Sequence, residues 1–262
     1  MTSSSSSRED RDRQLFDTIA QRYERKDRHP TARIARAHRL HRTLAILPLE
    51  GGRILPRMAE IGCGAGYAAE YLEGSYSHLS GIDHSSELIS LAQDRHGERT
   101  NVDFIAADVL AWQPMQKFDV VFAVGVLHHL TELSRVLVHV HTALRPGGWF
   151  VVNEPQPGNP LIHLARRIRK RLDPTYSAEQ VELSGSLLRK AFAQAGFDSI
   201  AEAPQGYFSP PLAEVPIPLG PLGPAIARMA STTDRFLERT VGRVAPSLSW
   251  NVIVAGQRRG ES

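Results

Sequence analysis

Apolar positions along this 262-residue chain follow two spacings in turn, and their succession predicts the architecture. Short apolar runs at Arg57–Ile61, His78–Ile82, Val102–Ala106, Val120–Val124 and Trp149–Asn153 read as strands buried on both faces. Pro56 is tolerable at a strand start. Segments with helical spacing lie between them: from the loop after Ile61 to about Glu73, over Ser86–Arg95, and over Leu133–Leu144. Strands alternating with helices predict a parallel sheet in a doubly wound α/β fold. Ser186–Ala195 is a further helix ending at Gly196, a C-cap, and two more strands follow Phe197 and cover Trp250–Ala255.

The same reading divides the rest of the chain. Residues 1–13, a serine run followed by alternating charge, are expected to be a disordered tail. Leu15, Phe16, Ile19 and Tyr23 predict an amphipathic helix over 13–25, and Glu24–Pro30 is a connector. Thr31 is expected to cap a second helix striped by Leu40, Leu44 and Leu47. Residues 14–50 are thus N-terminal lid helices, and 51–262 are the core. Between the last two strands, about 208–247 reads as an insertion, proline-rich and then helical over Ala225–Val241. Its apolar stretch Pro210–Ala227 holds six prolines and cannot be a membrane-spanning helix.

Chemistry enters at Glu60–Tyr67, Glu-Ile-Gly-Cys-Gly-Ala-Gly-Tyr, between the first strand and its helix. Gly62, Gly64 and Gly66 let a ligand approach bare backbone. A dinucleotide fingerprint needs G-x-G-x-x-G, but its third glycine position holds Tyr67. Glu60 at the loop entrance is unhelpful to an anion and suits a cofactor carrying an ammonium group.

This pattern resembles the first motif of the class I S-adenosylmethionine-dependent methyltransferases. Further motifs follow in register: Gly81–Ser85, Ala106–Val109, Phe118–Leu130 and Leu144–Gly148. The resemblance, over roughly residues 54–155, implies a Rossmann-like seven-stranded sheet. That sheet is mostly parallel with a final antiparallel strand pair and helices on both faces. It implies S-adenosyl-L-methionine as cofactor, with Glu60, Gly62, Cys63, Gly64 and Gly66 at the amino-acid end. Asp83, with His84 beside it, would meet the ribose diol, and Asp108 and the Val109 amide the adenine. Val124 and Gly125 would lie along the methionine part. Asp83 and Asp108 have a plainer reading as turn or cap residues, and Cys63 as a small side chain in a tight turn. Pro146-Gly147-Gly148 reads as a turn.

His128 and His129 follow the fourth strand on the acceptor side, and each is a candidate general base or a cofactor-contacting or packing residue. Tyr23, His129 and Glu154 are the candidates to touch substrate. The resemblance implies transfer to a small-molecule acceptor, its atom undetermined, with a non-catalytic cofactor-binding protein as the alternative. Nucleic acid is not expected: the net charge of +3 is scattered, and Ala123-Val124-Gly125-Val126 stands where a DNA enzyme would carry Asn/Asp-Pro-Pro-Tyr or Pro-Cys. The run Leu161–Leu172 has one apolar face and five basic residues. It reads either as a solvated helix covering the site or as peripheral contact with an anionic membrane, which would favour a lipid-like or prenylated acceptor. The single cysteine, Cys63, excludes an internal disulfide and fits a reducing cytoplasm. No metal ligand set is expected, and the oligomeric state is open.

Overall fold

The computed structural model describes residues 8–49, 56–157, 159, 183–214 and 219–260. Its centre is one sheet of seven strands: β1 (Arg57–Ile61), β2 (His78–Asp83), β3 (Val102–Ala106), β4 (Phe118–Val124), β5 (Leu144–Pro155), β6 (Phe197–Gln205) and β7 (Asn251–Arg258). They lie in the order β3-β2-β1-β4-β5-β7-β6. The first five pair in parallel, and β7 is antiparallel to both β5 and β6. Every predicted strand is present. Pro146-Gly147-Gly148, expected as a turn, lies within β5, which begins at Leu144 where the preceding helix was expected to end, with a register irregularity opposite Phe118 and Gly147 at φ 80°.

The period-2 alternation of β4 shows how the sheet serves two cores. Val120 and Phe122 face a cluster with Leu40, Ala68, Leu72 and Ile89, while Val121 and Ala123 face one with Val136, Leu137, Leu188 and Phe192. The first cluster is covered by α2 (Pro30–Leu44), α3 (Tyr67–Tyr71) and α4 (Ser86–His96). The second is covered by α5 (Leu133–Ala143) and α6 (Gly185–Gln194), where Phe150 and Phe192 stack at 5.3 Å. Gly196 follows α6 at φ 92°, the left-handed conformation a C-terminal glycine supplies.

The N-terminal segment departs from expectation in three places. Helix α1 runs over Arg8–Arg28, so residues 8–13 are helical instead of tail, and the connector shrinks to His29. Paired charges carry the helix onward: Glu24 meets Arg28 at 3.1 Å and Arg95 at 2.7 Å, and Asp27 meets Arg36 at 2.9 Å. Thr31 does not cap α2. Pro30 occupies the first turn behind an extended His29, and the buried Thr31 hydroxyl has no partner among the described residues.

The insertion occupies the whole stretch between Gln205 and Asn251. It carries α7 (Pro210–Glu214), α8 (Gly223–Arg239) and α9 (Val241–Val244). Gln205, the last residue of β6, pairs with Asn251, the first of β7, which pairs with Pro155, the last of β5. The insertion therefore leaves and re-enters at the carboxyl edge of the parallel strands. There it packs on α2: Arg36 donates to the Ala213 carbonyl at 3.1 Å, and Arg42 pairs with the buried Glu238 at 2.6 Å. No helix among the described residues is long and apolar enough to cross a membrane. The run 161–172 lies outside the described residues.

Candidate active site

Strand β1 has β2 on one side and β4 on the other, so the chain direction switches there and a crevice opens beyond the carboxyl ends. The glycine loop fills its floor. Gly62, Gly64 and Gly66 have φ of 71°, 53° and 74°, which only glycine adopts freely. Two of them serve packing. A Cβ on Gly62 would lie 2.4 Å from Val126 Cγ2, and one on Gly66 would lie 2.8 Å from the Phe104 ring. At Gly64 a Cβ would have nothing within 4 Å, so this is the glycine that presents bare backbone to open space. Cys63 is buried, and burial, with Asp83 and Glu60 adding to it, pushes its thiol well up. It is a tight-turn filler and no nucleophile.

Two carboxylates flank the loop. Asp83 accepts from the Gly64 amide at 2.8 Å and from the Ser85 amide at 2.9 Å, each through a different oxygen. Both oxygens keep a further lone pair. Glu60 is buried and has no hydrogen-bond or ion-pair partner among the described residues. Burial pushes its carboxyl well above the ordinary range, and Asp83 adds to the effect. A buried acid of this kind favours its neutral form unless a cation comes to it. Around the pair, His84 Nε2 is buried without a partner among the described residues. Asp108 is exposed at the end of β3 and accepts the Leu110 amide at 2.7 Å, so its cap role is present. The Val109 side chain is turned into the core.

Beyond β4, Gly125 has φ 71° and donates to the Asn153 carbonyl at 2.8 Å. The 3-10 turn Leu127–His129 that follows is held from below by Glu154. One Glu154 oxygen accepts the Val126 and Leu127 amides at 3.0 and 2.8 Å, and the other bonds His128 Nδ1 at 2.6 Å. Glu154, expected against the substrate, is wholly buried with both oxygens engaged, so it positions the turn instead. A carboxylate only accepts, so the proton sits on His128 Nδ1. Burial lowers the His128 pKa although Glu154 opposes it, which keeps the ring neutral. For Glu154, burial disfavours ionisation, but His128 and the two amides outweigh it and hold the carboxyl below its usual range.

His129 is reached from α1: its Nδ1 lies 3.2 Å from Asp12 Oδ2, and Phe16 meets its ring edge-on at 5.7 Å. Phe16 also meets His84 at 5.9 Å, so this one side chain spans the crevice from the Asp83–His84 corner to the histidine pair. Tyr23 lies further along, against Phe16 at 6.0 Å and in the cluster of Ala20, Ala65, Tyr67 and Leu88. Of the two α1 rings, Phe16 is the one that contacts both His84 and His129. Asp17 adds a second tie, accepting from Ser85 Oγ at 2.6 Å.

Sequence reasoning missed Asp12, Asp17 and Arg39, because nothing local marks them. Arg39 belongs to an arginine at every third position of α2 (33, 36, 39, 42), which reads as a solvated helix face. In the fold it donates to the Asn153 side chain and carbonyl, both at 3.2 Å. Its Nη2 lies 3.4 Å from where a Gly125 Cβ would be, so it puts a guanidinium at the end of β4.

Comparison with known proteins agrees with this geometry. A family model described as "Methyltransferase domain" matches residues 59–152, the stretch holding the loop, both acids and the histidine pair. A malonyl-[acyl-carrier protein] O-methyltransferase of Ilyobacter polytropus is 27% identical over 133 residues, covering 50% of this chain and 51% of its own. A ubiquinone biosynthesis O-methyltransferase of Paraburkholderia phytofirmans is 34% identical over 94 residues, covering 34% and 40%. The chain thus spans about half the length, or less, of these curated relatives. In fold it is similar to an S-adenosylmethionine-dependent methyltransferase of Thermotoga maritima, with a TM-score of 0.65, 17% identity, and 94% and 99% of the two chains covered. Residues 59–152 thus match a methyltransferase domain, and the sheet order around them is that of the class I S-adenosylmethionine-dependent methyltransferase fold.

Proposed function

We propose that this protein binds S-adenosyl-L-methionine in the crevice above β1 and transfers its methyl group to a small-molecule acceptor. The observation that carries the reading is Glu60, a buried carboxylate with no partner among the described residues, beside the open backbone of Gly64. The residues fit the cofactor's separate chemistries. Glu60 would take the ammonium. Arg39 supplies positive charge at the end of β4 for the carboxylate. The unused lone pairs of Asp83 would accept both ribose hydroxyls, and the Asp108–Val109 corner would receive the adenine.

When bound, the sulfonium supplies an electrophilic methyl that an acceptor lone pair takes by in-line displacement, its bonding electrons remaining on sulfur. The chain's own contribution is alignment and exclusion of water. Phe16, with Asp12 and Asp17 tying α1 to both sides of the crevice, would shield the reacting atoms. The Glu154-held turn would place His129 at the acceptor's approach. Both curated relatives are O-methyltransferases by name, so an oxygen acceptor is the class to test first. A phenol or alcohol must lose a proton and a carboxylate need not, so the acceptor decides whether a histidine serves as base.

The test is incubation with methyl-labelled S-adenosylmethionine and a panel of phenols, carboxylic acids and amines, with product and S-adenosylhomocysteine read by mass spectrometry. Labelled product with stoichiometric S-adenosylhomocysteine is the expected outcome. Cofactor binding without transfer across the panel would point to a non-catalytic binding protein.

A further inference from the structure

Helix α8, the long helix of the insertion, has two unlike faces. Its inner face carries Ala227, Ser231, Asp234 and Glu238, all buried. Both of its carboxylates are consumed there. Asp234 accepts the amides of Tyr207, Phe208 and Ser209 at 2.8–2.9 Å, and Glu238 accepts the Gly206 amide at 3.0 Å and pairs with Arg42.

The outer face carries an apolar stripe. Met229 and Phe236 lie seven residues apart on α8, and Leu222, at the end of the 3-10 turn before it, lies seven residues ahead of Met229; each is 66% exposed, and Val244 on the next short helix is 84% exposed. Seven residues are nearly two full turns, so Met229 and Phe236 stand in line about 10 Å apart, with Leu222 beyond them at the helix start. Arg228, Arg235, Arg239 and Arg243 are exposed alongside, and no acidic residue of the described chain pairs with any of them. Large apolar side chains in a row on a rigid, well-anchored helix mark a contact surface.

We infer that this outer face of α8 is a docking surface for an anionic lipid bilayer. Charge decides among occupants. In a symmetric pairing with a second copy, each protomer's arginine rows would meet a surface of the same sign with no carboxylate to offset them. A bilayer with anionic headgroups accepts the apolar stripe and the flanking arginines together, the arginines reaching outward to phosphate. The face lies on the layer that packs on α2, whose Arg39 reaches Gly125, so the surface facing lipid is one helix away from the proposed site.

The experiment is co-sedimentation of the full chain with phosphatidylcholine vesicles, either pure or containing about 30 mol% phosphatidylglycerol. The wild type should bind the anionic vesicles about tenfold or more tightly than the neutral ones, and high salt should weaken this. The double variant Met229→Glu/Phe236→Glu should lose about tenfold or more of that binding, and Arg228→Gln/Arg235→Gln should lose the preference for anionic lipid. These side chains are exposed, so melting temperatures should match the wild type and exclude unfolding as the cause. Absence of wild-type binding to anionic vesicles would overturn the inference. So would undiminished binding by the glutamate variant, or a protein–protein association abolished by it while vesicle binding is unchanged.

Discussion

At the scale of single residues, Glu60 is the most exposed to test because its environment makes two measurable demands. Its carboxyl is pushed up by burial and then by Asp83, so without ligand the proton is held more tightly than usual. An arriving ammonium reverses the preference. Binding should therefore release a proton at pH values below the raised pKa, and affinity should rise as pH climbs through it. Calorimetry in buffers of differing ionisation enthalpy should detect that proton, and Glu60→Gln should abolish both the release and the pH dependence. Asp83→Ala should weaken cofactor binding by about 1–3 kcal/mol, since two hydroxyls lose a charged acceptor and the Gly64 and Ser85 amides lose theirs. Unchanged binding by a folded Asp83→Ala protein would place the diol elsewhere. His128 and Glu154 belong to stability. A lowered His128 pKa means that the unfolded chain takes up its proton first as pH falls below about 6.5. The lowered Glu154 pKa means that its contribution is present at neutral pH and lost as pH drops through that value. The pair should thus make the fold acid-labile. His128→Gln should lower the melting temperature at neutral pH yet flatten its decline in acid, without the loss of turnover at intact affinity that marks a general base. His129→Gln should loosen α1 instead.

At the scale of elements, the parallel strands were legible because a strand buried on both faces leaves an unbroken apolar run. The glycine loop was legible because its backbone demands glycine. The helix ends and the site's cover were not. Alternating charge at residues 8–13 looks the same in a tail and in a helix, and only the partners Arg95 and Arg36, remote in sequence, make Glu24 and Asp27 helical and buried. Glu154 carried the signature of a residue facing a ligand, a carboxylate after a strand, yet its purpose is to satisfy the amides of the turn opposite. Arg39, Asp12 and Asp17 reach the crevice through long-range contacts that no local pattern encodes. Helix α1 is the element whose behaviour these contacts set. It is tied to the crevice by Asp12, Phe16 and Asp17, so ligand should slow proteolysis within it, as expected of a cover ordered by what it encloses. Cleavage indifferent to S-adenosylhomocysteine would contradict a lid role. The union of α2 with the insertion rests on Arg42 and the buried Glu238. Arg42→Met should cost about 3 kcal/mol by stranding that carboxylate, read from denaturant unfolding.

At the scale of the molecule, the carboxyl edge of the sheet is flanked by segments from two parts of the chain: α1 and α2 before it, α7 to α9 between its last strands. Both converge on the carboxyl ends of β1, β4 and β5, where Glu60, Gly64, Gly125 and the histidine turn lie. A cofactor in this crevice should lie on Gly64, which titration calorimetry of S-adenosylhomocysteine into the wild type and into Gly64→Val would measure. The wild type should bind with micromolar affinity, about −8 kcal/mol. Gly64→Val, which fills the one open position of the loop and strains a φ of 53°, should show no saturable heat while remaining folded. A folded wild type that gives no heat, or a valine variant that binds as the wild type does, would contradict the account.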